Sequence, residues 1–391
     1  MNAIDTVSAQ REVPIVTARE QLIEPARTAS ERLVSLDVFR GFTMFWIVGG
    51  SMVVLALANL GHNFIMDGIV RQLEHSPWCG LRFYDCIWPS FMLMVGVSVP
   101  FALAKRSLHE TYNQQLGHAF QRALVLFLLG SVRESLTIGS PYLVELSSAL
   151  QPIAIAYLVA VLVARKSWRF QAALAGIILA TCACILAFVP APGIPAGTYE
   201  LNRNLVHSVD IAVLGQTHWD AWPDKNEGWG TVLAYIPAIA TTLLGLLIGE
   251  LLQTSRTLVN KAQIIGGIGI TLFAAGFALS PLIPIEMKMW TVTYGLASAG
   301  IACLEFVFFF WLVDIARFRA WTIIFLPFGM NAVFIYLFTS FVPVKAGTDV
   351  FTRPIAVHLG KAGPLTEAFG AILVEWLILY WMMKRNVFVK V

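Results

Sequence analysis

Side chains that move protons crowd one short stretch of this 391-residue chain: His75-Ser-Pro-Trp78-Cys-Gly80-Leu-Arg82-Phe-Tyr84-Asp85-Cys-Ile-Trp88-Pro89. An imidazole, with an unperturbed pKa of about 6.5, gives and takes protons near neutrality and can also carry a transferred group. A carboxylate such as Asp85 is the partner that fixes which imidazole nitrogen holds the proton. Burying that carboxylate at the start of a membrane helix calls for a donor, and His75 is at hand. The plainer reading makes His75 an ordinary interfacial polar group and Trp78, Tyr84 and Trp88 aromatic belt residues. Pro77 and Pro89 bracket a bent helix entry, and Gly80 permits close backbone approach.

Other costly residues are scattered. Asp37 and Arg40 share a helix face at i, i+3. They either neutralise one another or leave Arg40 to meet an anionic ligand. Arg122 offers the same choice between anion binding and snorkelling to the interface. Asn331, in Gly329-Met-Asn331 close to Pro327, sits where a broken helix could turn an amide toward a cavity. Lys288 and Trp290 fall at the mouth of a span, while Glu250, Glu305, Asp314 and Glu375 lie in or near apolar stretches. His207 and Asp210 are i, i+3, but two ligands fall short of a zinc site, and no metal is expected. There is no Walker A loop, GxSxG elbow, HExxH motif or cysteine framework among the five cysteines.

The elements that must position these groups follow from composition. With 57% hydrophobic and only 13% charged residues, the chain is an all-α polytopic membrane protein, a single bundle occupying residues 32–391 behind a flexible tail at 1–31. A net charge of +3 without a dense basic face excludes a nucleic-acid binder. Apolar runs at 38–60, 83–104, 119–139, 147–164, 168–189, 229–253, 263–283, 290–313, 320–342 and 366–383 predict about ten transmembrane helices. An eleventh is possible between 134 and 160, because Arg133 and Glu134 interrupt the third run. With both termini cytoplasmic, the inner segments carry seventeen Lys and Arg against nine in the outer ones, as the positive-inside rule requires. The long outer segments are 61–82, 190–228 and 343–365. The second, with Trp219, Trp222 and Trp229 among polar residues, could receive a water-soluble acceptor.

The segment Arg32-Leu-Val-Ser-Leu-Asp37-Val-Phe-Arg40-Gly41 resembles the opening LDxxRG signature of the heparan-alpha-glucosaminide N-acetyltransferase family and its bacterial relatives. The resemblance runs on through His75, Trp78, Gly80, Asp85 and Pro89, then Gln121-Arg122 to Gly130, Asn204 to Asp210, Glu227-Gly228 and Pro237. It continues at Lys288-Met-Trp290, Trp321, Pro327, Gly329-Met-Asn331 and Trp376, covering roughly residues 30–391. It implies a transmembrane relay in which cytosolic acetyl-CoA gives its acetyl group to an amino sugar on the far side, with the family's active-site histidine at His75. Ser51 stands where the family often has Asn, and Leu150-Gln151-Pro152 where it has Leu-Gln-Arg. The large lumenal N-terminal domain of the lysosomal enzyme is not seen. A multi-pass bacterial inner-membrane version with a cell-envelope amino sugar or glycan as acceptor is therefore expected, with membrane lipids and a second copy of the chain as further partners.

Acyl transfer from a thioester needs an unprotonated nucleophile, an oxyanion stabiliser and exclusion of water. His75 is expected to act as general base or transient acetyl carrier, oriented by Asp85. The acceptor side is assigned to Trp78, Asn331, Asp210, Lys288 and Trp290, with Asn331 or the Trp78 indole as oxyanion donor. The donor side is assigned to Asp37, Arg40 and Arg122, the arginines toward the CoA phosphates. The rivals are a small-solute transporter, a non-enzymatic scaffold, and the same fold with another acyl group or acceptor.

Overall fold

Most of the apolar runs become helices, because in hydrocarbon a helix satisfies its own backbone groups. The computed structural model describes residues 33–61, 63–138, 148–215 and 230–389. The expected tail and the tryptophan-rich part of the second outer segment lie outside the described residues. Helix α1 (Val34–Phe45) widens through a π-type turn at Trp46–Gly50 into α2 (Ser51–Ala58). The amphipathic α3 (Phe64–Gln72) is capped by Asn63, whose side chain accepts the Met66 N–H at 2.8 Å. A single tight turn at Tyr84–Cys86 leads into α4 (Ile87–Arg106), followed by α5 (Tyr112–Ile138), α6 (Leu150–Val163) and α7 (Trp168–Phe188). A two-residue hairpin pairs β1 (Tyr199–Glu200) with β2 (Arg203–Asn204), and Asn204 then caps α8 (Leu205–Leu214). The second half holds α9 (Tyr235–Gln253), α10 (Leu258–Leu279) and α11 (Val292–Phe310). It closes with α12 (Leu326–Met330), α13 (Ala332–Phe341), α14 (Val344–His358) and α15 (Gly363–Lys384).

Seven of the described helical segments are long and apolar enough to cross a membrane, or eight if the pair α13 and α14, bent by 71°, is one span. This marks a multi-pass membrane protein but falls below the ten crossings expected. The runs at 119–139 and 147–164 make the difference. Helix α5 carries Arg122, Arg133 and Glu134 along its length, and α6 has only 14 residues. The expected loop at 343–365 is largely helical, formed by α14, whose Phe351 and Val357 are 78% and 73% exposed.

Small residues let the helices at the centre approach backbone to backbone. A Cβ on Gly96 of α4 would run into the Thr242 carbonyl of α9, and one on Gly245 into the Leu93 carbonyl. Gly245 and Gly249 make a small-xxx-small ridge on α9, which meets α4 as such ridges do in membranes. Gly41 and Gly329 clamp α1 to α12 in the same way, each facing a carbonyl of the other segment. Around these contacts Phe39, Val97, Phe306 and Phe310 are fully buried. Ridge contacts of this kind fix the register of α1, α4 and α9, which carry or flank the residues of interest.

Candidate active site

The segment between α3 and α4 dips into the bundle beside α1. The Phe83 ring meets Phe42 and Trp46 edge-on, with centroids 6.1 and 5.6 Å apart. Three nitrogen donors converge there on Asp85, which is 0% exposed. His75 Nδ1 lies 2.9 Å from its Oδ1, the Arg82 N–H donates to Oδ2 at 2.9 Å, and the Ser76 N–H reaches both oxygens at 3.3 and 3.4 Å. Arg82 closes the loop by donating from its guanidinium to the His75 carbonyl at 2.9 Å. The backbone of Asp85 is held as well, its carbonyl accepting the Tyr294 hydroxyl at 2.7 Å. Oxygens ringed by N–H groups act as acceptors, so the imidazole tautomer that suits Asp85 donates through Nδ1 and leaves Nε2 as the acceptor nitrogen. The imidazole is 39% exposed, while its partner is sealed.

A cavity of about 780 Å³ opens at His75 and runs down one face of α4. The α4 residues lining it are Ile87, Trp88, Phe91, Val95, Ser98, Val99, Ala102 and Arg106, a stripe that recurs every three or four residues on one helix face. From Ile87 to Arg106 this is about 28 Å at about 1.5 Å per residue. Helix α5 lines the same space with Arg122, Leu126, Arg133 and Glu134, α1 with Arg40 and Met44, and the π-type turn after it with Ile47. One end is therefore basic, with Arg40, Arg106 and Arg122, and the other holds His75, Tyr84 and Asp85. Arg122 stacks over the Tyr157 ring at 4.8 Å, with its Nε unbonded among the described residues. Arg133 pairs with Glu134, donates to Ser340 Oγ at 3.0 Å and lies over the Tyr336 ring. Ser51 hydrogen-bonds the Tyr84 side chain, and the His75 ring lies 4.9 Å from that of Tyr84, so the departure at Ser51 falls beside the imidazole.

Several residues assigned to the acceptor side do other work. The Trp78 indole donates to the Tyr199 carbonyl at 2.7 Å and pins the hairpin to the His75 segment. Asp210 is 0% exposed and accepts the Thr231 and Val232 N–H groups at 2.8 and 2.9 Å, ordering the approach to α9. Asn331 is 1% exposed and holds the C-terminal segment by both ends of its amide. Trp290, with φ of 49°, adopts a left-handed backbone that a bulky side chain rarely takes, and its ring packs edge-on against Trp88 and Tyr294. Lys288 is 7% exposed, and its carbonyl accepts the Gly230 N–H at 2.8 Å. None of these five is among the lining residues of the cavity. On the donor side Arg40 lines it, and Asp37 pairs with Arg40 at 3.4 Å.

The loop joining α10 to α11 buttresses the His75 segment from behind. The Gly80 N–H donates to the Ile285 carbonyl at 2.8 Å, and Gly80 has φ of 126°, where a side chain would be strained. Glu286, 0% exposed, accepts the backbone N–H groups of Lys288 at 3.0 Å and of Met289. Burial pushes the Glu286 carboxyl up to about 7, against the pull of those N–H groups and the Lys288 ammonium, with Asp85 adding to the rise.

No protein-family model matches the chain. The curated protein heparan-alpha-glucosaminide N-acetyltransferase from Mus musculus is 24% identical over 423 positions, covering 94% of this chain and 62% of its own length. The protein of the same name from Homo sapiens is 20% identical over 423 positions, covering 92% of this chain and 60% of its own. The similarity to both runs over nearly the whole of this chain. It spans about six tenths of the length of these heparan-alpha-glucosaminide N-acetyltransferases. Against that relationship, sequence reasoning missed Arg106, Arg133, Glu134 and Tyr336 as cavity residues and read Trp88 only as a belt residue. The signal was available on α4, where small or apolar residues recur on one face and end in Arg106.

Proposed function

We propose that the chain is a transmembrane acyltransferase that takes an acetyl group from acetyl-CoA at the basic end of the bundle and gives it to an amine at the His75 end. The observation that carries this reading is the single cavity joining three arginines to the His75–Asp85 pair along the whole of α4. Guanidinium groups suit the phosphates of a CoA, and the apolar middle formed by Phe91, Val95 and Val99 suits its arm. The donor enters from the cytoplasm and the acceptor from the other side, as the lysine and arginine distribution suggests. An amino sugar as acceptor agrees with the relatives, which are named for N-acetyl transfer to a glucosaminide.

In the direct path, His75 Nε2 takes a proton from the acceptor amine as its nitrogen attacks the thioester carbonyl. The tetrahedral intermediate collapses, the carbon–sulfur bond breaks, and the imidazolium returns the proton to the CoA thiolate. In the relay path, Nε2 itself attacks and the carbon–sulfur bond breaks, with CoA leaving as its thiolate; the amine then cleaves the acetyl-imidazolium, Nε2 recovers its electron pair, and the proton released by the amine neutralises the thiolate. Asp85 serves both by holding Nδ1–H and stabilising the imidazolium. With Trp78 and Asn331 engaged elsewhere, we assign the oxyanion donor to Trp88, whose indole N–H has no partner among the described residues.

The test is transfer of radiolabelled acetyl from acetyl-CoA by purified protein to a panel of amino and hydroxy sugars, with His75→Ala alongside. Transfer by the parent and none by a folded variant supports the reading. No transfer together with no CoA binding overturns it in favour of a transporter.

A further inference from the structure

Asn331 marks a break in the fold. Its backbone, at φ −128° and ψ 40°, interrupts the chain between α12 and α13, and its side chain is 1% exposed. A buried primary amide needs partners for both its donor and its acceptor. Here both are found on the C-terminal segment: Nδ2 donates to the Val387 carbonyl at 3.1 Å, and Oδ1 accepts the Val389 N–H at 3.0 Å. The side chain thus imitates a neighbouring strand, gripping two residues of extended chain at once.

The segment arrives there because α15 ends in a reversal. The Arg385 N–H bonds the Trp381 carbonyl, the Val387 N–H bonds the Met382 carbonyl, and Asn386 takes a left-handed φ of 55°. That is the αL ending of a helix, for which Asn is one of the few suitable residues after Gly. The reversal turns residues 387–389 back toward the bundle, and Val389 lines the cavity beside Arg40, Gly329 and Met330. Val387 and Val389 remain 43% and 44% exposed, as expected of a rim. Arg40, one of the three arginines of the basic end, lines the same cavity, and its neighbour Gly41 packs against Gly329.

We infer that Asn331 is a positioning residue for the acyl donor: it latches residues 387–389 as one wall of the cavity at its basic end, where the phosphate-bearing part of acyl-CoA seats. The inference rests on the acyltransferase reading and deepens it, since it removes Asn331 from the reacting carbonyl and gives it to donor binding. Cutting the latch frees the wall while the His75–Asp85 pair is untouched. The donor then binds more weakly, and turnover at saturating donor is unchanged.

The experiment measures steady-state kinetics and CoA affinity for the parent, for Asn331→Ala, for a chain stopped after Asn386, and for the two changes combined. Loss of two hydrogen bonds to a buried amide predicts that the KM for acetyl-CoA and the Kd for CoA rise about tenfold in either single variant. The acceptor KM and kcat stay within about twofold of the parent, and the combination is no worse than either change alone, because both remove the same latch. A fall in kcat with donor KM unchanged overturns the inference and returns Asn331 to the chemistry. Additive losses overturn it too, since they mean Asn331 and the segment act separately. If Asn331→Ala does not fold, the truncated chain, which keeps every helix residue, decides alone. A parent that binds CoA but transfers nothing defeats the acyltransferase reading while the Kd series still tests the latch. A parent that does not bind CoA defeats both.

Discussion

Glu286 gives a prediction whose size follows from its surroundings. Its carboxyl is buried behind the His75 segment and titrates near 7 when folded, against about 4.3 in an unfolded chain. The folded state therefore holds a proton that the unfolded state releases across that interval. The resulting stabilisation is complete below about pH 4.5 and is lost as pH rises through about 7. A displacement from 4.5 to about 7 corresponds to about 3 kcal/mol at most. Glu286→Gln keeps an acceptor for the Lys288 and Met289 N–H groups and cannot ionise. Between pH 5 and pH 8 the unfolding midpoint of the parent is expected to fall by about 3 °C more than that of the variant. The assay is thermal unfolding followed by intrinsic fluorescence in one detergent across that pH range, and the difference between the two proteins cancels every other titrating group. Parallel curves, or a parent that gains on the variant as pH rises, would refute the argument that burial outweighs the two N–H groups and the lysine.

Asp85→Asn should lower kcat at least about a hundredfold with little change in donor KM, because the amide can present either donor or acceptor to Nδ1 and no longer fixes the tautomer; stopped-time acetyl transfer at saturating acetyl-CoA reads this. Arg106→Gln and Arg122→Gln should each raise the Kd for CoA about tenfold and weaken its salt dependence, measured by titration calorimetry at two ionic strengths. Gly41→Ala and Gly329→Ala should each abolish monodisperse protein on size-exclusion chromatography, since a methyl at either site meets a carbonyl of the packed segment. Trp88→Phe should keep the ring packing against Trp290 and lower kcat about tenfold or more, as expected when an oxyanion donor is removed.

Much of the architecture was legible because hydrophobic length is a blunt signal. The first, second, fifth, sixth, seventh, eighth and tenth apolar runs each coincide with a described span. The expected count is not reached at α5 and α6, where the helices exist but one carries charges along its length and the other has only 14 described residues, so length and composition do not mark either as a crossing. His75 and Asp85 were legible because a proton carrier and a carboxylate ten residues apart near a helix start have few uses. The structure brings them to 2.9 Å. Trp78, Asp210 and Asn331 read as ligand groups for a shared reason: a polar side chain in an apolar chain looks free to reach for one. Each instead meets the backbone of a segment distant in sequence, a pairing that no local pattern encodes. Arg106 was missed for the opposite reason, since a lysine-arginine pair closing a span looks like an ordinary inner flank.

The close seating of α4 on α9 through Gly96, Gly245 and Gly249 has a mechanical consequence. Two helices whose backbones interlock can neither slide nor roll past one another without lifting apart. The wall that carries the lining stripe is thus a fixed rail. A solute carrier opens alternately by rocking one half of its bundle against the other, and a rail of this kind denies it the slip plane. On the acyltransferase reading, the guest moves along α4 past a stationary host, and the temperature dependence of turnover should reflect side-chain gating rather than displacement of whole helices.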